Sequence, residues 1–240
     1  MKERIALVTG SAKRLGKAIA VALAKQGFLV AVHYLSSRRE ALAAAAEIRS
    51  LGGKSAVVKG DISKEGNARK IVDAIINKYG RIDVLINNVG NFQVKTIDKV
   101  TAADWDNQLK TTVSSTFYMC KAALPYMTKQ NYGRVINIGD AGADIIKAWP
   151  RITAHMIGKT GILILTKSLA EQYAKYDITV NCVSPGAIEH STEPPGGVSN
   201  MPKGRYANYD DICNAVLFLL RKESSYISGA NLKVSGAWMA

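Results

Sequence analysis

His155 and Lys159 are the two side chains of this sequence whose types and spacing most readily suggest chemistry. They are four positions apart, so a helix would direct both from one face, one turn apart. An imidazole exchanges protons near neutral pH, and an ammonium shifts the acidity of its neighbours. A single helical histidine is nevertheless more often structural than catalytic. The pair is therefore a candidate site only if the rest of the chain builds a ligand cleft around it.

The elements that must position this pair alternate between apolar runs of strand length and amphipathic or alanine-rich segments. The predicted strands are residues 5–8, 29–33, 55–59, 84–87, 134–138, 179–183 and 232–234, and the predicted helices lie near 15–26, 38–51, 64–79, 102–129, 153–174 and 209–221. This alternation predicts an α/β fold, a parallel sheet with helices on both faces. Because no linker divides the chain, residues 1–240 are predicted to form a single doubly wound domain.

The long irregular stretch at 184–208 follows the carboxyl end of a predicted strand, where open α/β sheets bind ligands. Irregular loops of this length in a compact domain are usually functional, so we predict that it is the substrate loop. Its segment Pro194-Pro195-Gly196-Gly197 indicates a short lid with little helix. Such a lid suits an open pocket, a bulky substrate or an incompletely covered site.

The composition excludes several classes of protein. No apolar run approaches the roughly 20 residues of a membrane-spanning helix, and no secretory segment precedes the first strand. Cys120, Cys182 and Cys213 lack the spacing of a metal site and fit reduced thiols in the cytoplasm. The net charge of +13 comes from scattered basic residues, which argues against nucleic acid. An anionic cofactor, an acidic protein partner and a basic solvated surface remain open.

The loop after the first predicted strand has the character of a phosphate-binding turn. Gly10 permits a tight turn, Gly16 lets the next helix pack closely, and N–H groups at the helix start can hold a pyrophosphate. Arg14 adds a guanidinium, which is a multidentate phosphate donor. The candidate loop is Thr9-Gly10-Ser11-Ala12-Lys13-Arg14-Leu15-Gly16. Its place in the first strand–helix–strand unit predicts a dinucleotide site.

The end of the second predicted strand discriminates between the two nicotinamide dinucleotides. An acidic residue there would bind the ribose 2′-hydroxyl of NAD(H), but the stretch contains none, namely His33-Tyr34-Leu35-Ser36-Ser37-Arg38-Arg39. Hydroxyl groups and cations suit a 2′-phosphate instead. The sequence therefore favours NADP(H), unless Arg38 and Arg39 simply begin an exposed helix.

The order and spacing of these motifs resemble the short-chain dehydrogenase/reductase family over almost the whole chain. Thr9-Gly10-x-x-x-Arg14-x-Gly16 is similar to the family's Thr-Gly-x-x-x-Gly-x-Gly, in the arginine variant of pteridine reductases. Further similar motifs are Asn87-Asn88-Val89-Gly90, Ser184-Pro185-Gly186, Tyr226-Ile227-Ser228-Gly229 and Val234-Ser235-Gly236-Ala237. The resemblance implies a seven-stranded Rossmann fold, often a homotetramer, that transfers hydride between a nicotinamide and a carbonyl or imine.

The resemblance also implies a set of cofactor-binding residues. Asp61 fits the acid that contacts adenine, and Lys159 matches the lysine that binds the nicotinamide ribose. The implied set is Gly10, Ser11, Lys13, Arg14, Leu15, Gly16, His33, Ser36, Ser37, Asp61, Ile62, Asn87, Val89, Gly90, Lys159, Pro185, Gly186 and Ile188. Small residues in the helices near 102–129 and 153–174 would allow close helix approach, either on the parent sheet alone or between subunits. The resemblance favours pairing of these helices across a two-fold axis in a homotetramer or homodimer.

Only the lysine of the family's catalytic Asn, Ser, Tyr and Lys is retained, as Lys159. Thr112, Asp140 and His155 occupy the other three positions, in that order. The ammonium of Lys159 favours a neutral imidazole, which is a poor acid. A carboxylate within roughly 4–6 Å would instead stabilise imidazolium, making Asp140⁻–His155⁺ a proton donor.

The sequence thus predicts an NADP(H)-dependent reductase with the unusual catalytic set Thr112, Asp140, His155 and Lys159. Its small-molecule substrate would resemble a pteridine or a 3-oxoacyl group, the latter delivered by an acidic carrier protein that the positive charge attracts. The alternative is a catalytically decayed NADP(H)-binding scaffold or regulatory protein, because three of the four catalytic positions are changed.

Overall fold

The seven predicted strands form one sheet in the computed structural model, which describes residues 3–190 and 197–239. The strands are β1 Ile5–Val8, β2 Leu29–Tyr34, β3 Lys54–Lys59, β4 Val84–Asn87, β5 Gly133–Ile138, β6 Ile178–Pro185 and β7 Asn231–Val234. All neighbours are parallel, in the order β3-β2-β1-β4-β5-β6-β7. The predicted parallel α/β fold is confirmed.

Helices cover both faces of the sheet. They are α1 Arg14–Lys25, α2 Arg38–Ser50, α3 Glu65–Tyr79, α4 Ala102–Leu109, α5 Ser115–Lys129, α6 Thr153–Tyr173 and α7 Tyr209–Leu219. One buried apolar cluster joins the sheet to α1, α2 and α7, and a second joins the opposite face to α3, α5 and α6. Within the described ranges no helix is long and apolar enough to cross a membrane.

The predicted helix near 102–129 is not regular, because a π-helical segment, Lys110–Ser114, separates α4 from α5. Hydroxyl groups in this region bond back to carbonyls of the preceding turn: Thr111 Oγ1 donates to Asn107 O at 2.7 Å, and Thr116 Oγ1 to Thr112 O at 2.9 Å. Such bonds compete with the regular helical ladder. Helical periodicity alone did not reveal this widened turn, which bears Thr112.

The carboxyl ends of β1 and β4 lie side by side where the strand order reverses, between β1 and β4. Ligands of doubly wound sheets bind in the crevice outside such a switch point. Strand β6 continues to Pro185, two residues beyond its predicted end, so the irregular loop starts later than predicted. Of the predicted lid, Pro194, Pro195 and Gly196 lie outside the described residues.

Candidate active site at the carboxyl edge of the sheet

The loop after β1 has the backbone of a phosphate-binding turn. A Cβ at Gly16 would lie 2.4 Å from the Gly10 carbonyl oxygen, so only glycine fits there. Arg14 has φ of +54°, a left-handed conformation that favours glycine, and its side chain is exposed. The N-cap residue Lys13 makes no side-chain cap, so the first N–H groups of α1 are available to an anion. The loop therefore fits a pyrophosphate.

Two residues assigned to the cofactor, Ser11 and His33, direct their side chains into the protein instead. The Ser11 hydroxyl donates to Val8 O at 2.7 Å and accepts from the His33 N–H at 2.9 Å. His33 Nδ1 accepts from the Gly10 N–H at 3.0 Å, and Nε2 donates to Gly60 O at 2.9 Å. These side chains brace the phosphate loop against the ends of β2 and β3.

The bracing role requires a neutral imidazole at His33. Burial lowers its pKa, and the Gly60 carbonyl and the Asp61 charge only partly oppose this effect. A protonated Nδ1 could not accept from the Gly10 N–H. The neutral His33 ring thus fixes the shape of the loop.

The β4 end is tied to the same loop by hydrogen bonds of Thr9 and Asn88, which belong to the quoted motifs but not to the implied cofactor-binding set. Thr9 Oγ1 accepts from the N–H groups of Asn88 and Val89 at 2.9 and 3.2 Å. The Asn88 side chain donates to the Thr9 carbonyl at 3.0 Å. Asn87, which was assigned, donates to Asn137 Oδ1 at 2.9 Å within the sheet. Only its backbone can therefore face a cofactor.

The assigned residues after β2 and β3 differ in their exposure to solvent. Ser36 is exposed, Ser37 is half-buried, and Ile62 is buried. Asp61 accepts from the hydroxyl and N–H of Ser63 at 2.6 and 3.1 Å, and the hydroxyl bond is the main reason that its pKa lies below the ordinary value. These residues flank the carboxyl ends of β2 and β3, beside the phosphate loop.

Lys159 lies in the interior at the end of β5. Its Nζ donates to Ile138 O at 2.7 Å, and a Cβ at Gly90 would lie 3.6 Å from the same nitrogen. Burial lowers the pKa of the ammonium, and the Asp140 carboxylate offsets this only in part. The cation is thus held beside the Asn87–Gly90 segment by a carbonyl and a nearby carboxylate.

His155 lies between two hydrogen-bond acceptors. Its Nε2 is 3.4 Å from Asp140 Oδ2, and its Nδ1 is 3.2 Å from the backbone oxygen of Asn91. A carbonyl and an ionised carboxylate can only accept, so both contacts are satisfied together only by the doubly protonated ring. The half-exposed ring of Phe92 packs edge-on against the imidazole, with centroids 4.8 Å apart.

Asp140 is the member of this pair that reaches solvent. Its side chain is 28% exposed, against 6% for His155. Burial raises the pKa of the carboxyl, but hydrogen bonds from His155 and the Gly142 N–H outweigh it and leave the pKa below its ordinary value. The Gly142 bond, at 2.8 Å, occupies Oδ1 and fixes the carboxylate plane. Asp140 can therefore exchange protons with solvent.

Thr112 is not brought into this group. It is fully buried, and its Oγ1 accepts from the Gln108 side-chain amide at 3.0 Å. Among the described residues its hydroxyl has no bond to His155 or Lys159. It packs instead on α6, where a Cβ at Gly158 would lie 3.1 Å from Thr112 Cβ. Its contribution is therefore the shape of the π-helical turn.

The end of β6 and the residues after it lie beside the segment that follows β5. The Pro185 carbonyl accepts from the Ala141 N–H at 2.9 Å, next to Asp140. A Cβ at Gly186 would lie 2.9 Å from Ser235 Cβ, so a glycine is needed for this close approach. Ile188 forms an isolated bridge with Ala207, which closes the base of the loop.

Comparison with known proteins agrees with this architecture. A family model described as enoyl-(acyl carrier protein) reductase matches residues 10–237. The chain is 30% identical to a 3-oxoacyl-[acyl-carrier-protein] reductase of Staphylococcus aureus, with 96% of each chain covered. It is 34% identical to a 7alpha-hydroxysteroid dehydrogenase of Clostridium sardiniense, with 99% of this chain and 94% of the relative covered.

A solved structure gives the same result. It is described as "a putative short-chain alcohol dehydrogenase from Sinorhizobium meliloti 1021", and it matches with a TM-score of 0.92 at 26% identity. The match covers 100% of this chain and 97% of the other. The chain belongs to the short-chain dehydrogenase/reductase family of oxidoreductases.

Proposed function

We propose that this protein is an NADP(H)-dependent reductase that delivers hydride to a carbonyl or imine carbon, with Asp140 and His155 supplying the proton. The observation that carries the proposal is the hydrogen-bonded pair His155 and Asp140, 3.4 Å apart, beside buried Lys159 at the carboxyl edge of the sheet. A buried cluster of titratable groups at a cleft is typical of a catalytic site.

The cofactor would be held by the chain's phosphate loop and the residues flanking it. The free N–H groups at the start of α1 suit the pyrophosphate, and Arg14, Ser36 and Ser37 suit a 2′-phosphate. Asp61 and Ile62 would border the adenine, and Lys159 would bind the ribose next to the nicotinamide. When bound, the nicotinamide supplies the hydride.

The proton would come from the Asp140–His155 pair. As hydride reaches the substrate carbon, negative charge develops on the attached oxygen or nitrogen, which must be protonated. His155 gives its Nε2 proton to Asp140, whose exposed carboxyl transfers it to the substrate atom. Afterwards Asp140 is a carboxylate and His155 is neutral, retaining the proton on Nδ1. Lys159 remains charged and restrains the carboxylate.

Two substrate classes have separate support. The exposed face of Phe92 beside His155 offers stacking to a planar ring, as in a pteridine, and such contacts favour aromatic ligands. A 3-oxoacyl thioester is favoured by the similarity to the Staphylococcus aureus reductase. The net charge of +13 would attract an acidic carrier protein.

A homotetramer in the cytoplasm is the setting that we propose. Phe117 on α5 and Ile157 and Ile164 on α6 expose 41%, 46% and 64% of their surface. An apolar helix pair of this kind is suited to burial across a two-fold axis. Sedimentation equilibrium would test this, and a monomer at micromolar concentration would contradict it.

The test of function is NADPH oxidation with a dihydropteridine, a quinone and a 3-oxoacyl thioester, alongside NADPH binding. Turnover of at least one substrate, abolished by Lys159→Ala and by Asp140→Ala, is expected. Binding of NADPH without any turnover would favour the alternative, a catalytically decayed cofactor-binding scaffold.

A further inference from the structure

We infer that Gln108, on α4, is a positioning residue for His155 and acts through the backbone carbonyl of Asn91. The inference deepens the proposed function and rests on it for its kinetic consequence only. Gln108 lies outside the motifs of the sequence and does not touch His155. Its side-chain amide donates to the same Asn91 carbonyl oxygen that accepts from the imidazole.

The side-chain amide of Gln108 donates two hydrogen bonds. Its Nε2 donates to Asn91 O at 2.6 Å and to Thr112 Oγ1 at 3.0 Å, and the residue is only 1% exposed. Its Oε1 is buried without a partner among the described residues. Unpartnered buried oxygens are costly, so this side chain stabilises the fold less than its two donated bonds suggest.

The Asn91 carbonyl needs such a donor because nothing regular fixes it. Residues 88–96 have no helical or strand structure, and Asn91 itself is exposed. The carbonyl oxygen has two lone pairs, and it accepts from Gln108 Nε2 and from His155 Nδ1. The Gln108 bond therefore holds this oxygen in front of the imidazole.

The consequence is a defined protonation pattern on the ring. An acceptor fixed at Nδ1 keeps a proton on that nitrogen, so the proton that can leave is the one on Nε2, toward Asp140. Without Gln108, the carbonyl could turn away with its loop. The Nδ1–H group would then have no acceptor. A ring with a single proton would carry it on Nε2, where Asp140 accepts it.

Imidazole ¹⁵N–¹H NMR of the apo protein tests this directly, because the chain has only three histidines. His155→Gln and His190→Gln assign the signals. Wild type is expected to show an Nδ1–H signal for His155, because that nitrogen faces the Asn91 carbonyl. Gln108→Met, which keeps the shape but removes the donors, is expected to lose the Nδ1–H signal, and Gln108→Leu serves if that variant does not fold.

Gln93→Met is the matched control. Gln93 lies on the same loop and donates to Asp104 of the same helix at 2.8 Å, and in the described part of the chain no hydrogen bond joins it to the Asn91 carbonyl or the imidazole. This variant is expected to retain the His155 Nδ1–H signal. In turnover, Gln108→Met is expected to lower kcat about tenfold, as small misplacements of a catalytic group do, with KM and NADPH affinity unchanged.

Three results would overturn the inference. The first is absence of the His155 Nδ1–H signal in the wild type, and the second is its persistence in Gln108→Met. The third is loss of the signal in Gln93→Met as well, which would indicate general loosening of the loop. Failure of the proposed function has a different signature: no substrate is turned over, yet the NMR pattern of all three proteins is as expected.

Discussion

The two buried histidines, His33 and His155, have nearly the same exposure, 2% and 5%, but opposite hydrogen-bonding environments. His33 meets one donor, the Gly10 N–H, and one acceptor, the Gly60 carbonyl, and is satisfied as a neutral ring. His155 meets two acceptors and is satisfied as an imidazolium. The nitrogen partners, and not the degree of burial, decide which ring is a brace and which can carry a proton.

The same contrast separates the two halves of the cleft. Around His33, the hydrogen bonds hold the shape of the phosphate loop, in which Gly10 and Gly16 keep two of the family's three glycine positions and Arg14 takes the third. Around His155, charged groups face one another, with Asp140 on one side and buried Lys159 near it. At Gly16 any larger residue is excluded, because its Cβ would overlap the Gly10 carbonyl oxygen.

Removing the carboxylate should have the largest effect on the catalytic half. Asp140→Asn leaves the His155 ring without its anionic partner and closes the route of the proton to the cleft. We expect kcat for NADPH oxidation to fall by about 10²–10⁴-fold, the range typical of general acids, with NADPH affinity unchanged. Asp144→Asn is the control, since this carboxylate of the same connection pairs with Lys233 instead. Equal losses in both variants would contradict the assignment.

In the phosphate loop the corresponding substitution is Gly16→Ala. The added methyl group would overlap the Gly10 carbonyl, and overpacking of this kind costs about 1–3 kcal/mol. We expect NADPH affinity, measured by fluorescence titration, to fall about 10–100-fold. Gly66→Ala, where a Cβ meets nothing within 4 Å, should bind normally. Normal binding by Gly16→Ala would mean that the cofactor does not use this loop.

A substitution with a smaller effect, Arg14→Gln, should weaken the preference for NADPH over NADH. Arg14→Gln removes a guanidinium proposed to reach the 2′-phosphate, and a charge-assisted bond is worth about 1.5–3 kcal/mol. We therefore expect the ratio of NADPH to NADH affinity to fall at least about tenfold. Lys25→Gln, at the far end of α1, should leave that ratio unchanged. A ratio near one in the wild type would contradict the NADP(H) assignment.

The smallest expected effect concerns His33 and the dependence of Tm on pH. Because burial lowers the His33 pKa, the unfolded chain binds more protons than the folded one below about pH 6.5. The stability that His33 contributes is therefore fully present above that pH and is lost as pH falls toward the folded-state pKa. We expect the decline of Tm with acidification to be flatter in His33→Leu than in the wild type or in His190→Gln. Identical slopes of Tm against pH in all three proteins would contradict this structural role of His33.

The sequence predicts the strand–helix alternation because apolar periodicity is a local property of the chain. It also identifies Gly10, Gly16 and Lys159, whose spacing is characteristic of the family. It does not reveal that Ser11, His33 and Asn87 bond inward, since the direction of a side chain depends on neighbouring strands. Asn91 takes part through its backbone carbonyl, which carries no signature of residue type. The π-helical turn at Thr112 results from several hydroxyl bonds that periodicity does not record.

The central claim is that His155 and Asp140 together deliver the proton that accompanies hydride transfer. It is tested most directly by NADPH oxidation under saturating cofactor with wild type, His155→Gln and His155→Tyr on the same substrate panel. The account predicts turnover by the wild type and a loss of about 100-fold or more in His155→Gln, with NADPH still bound. A wild type that binds NADPH without turnover, together with a His155→Tyr variant that gains it, would contradict the account.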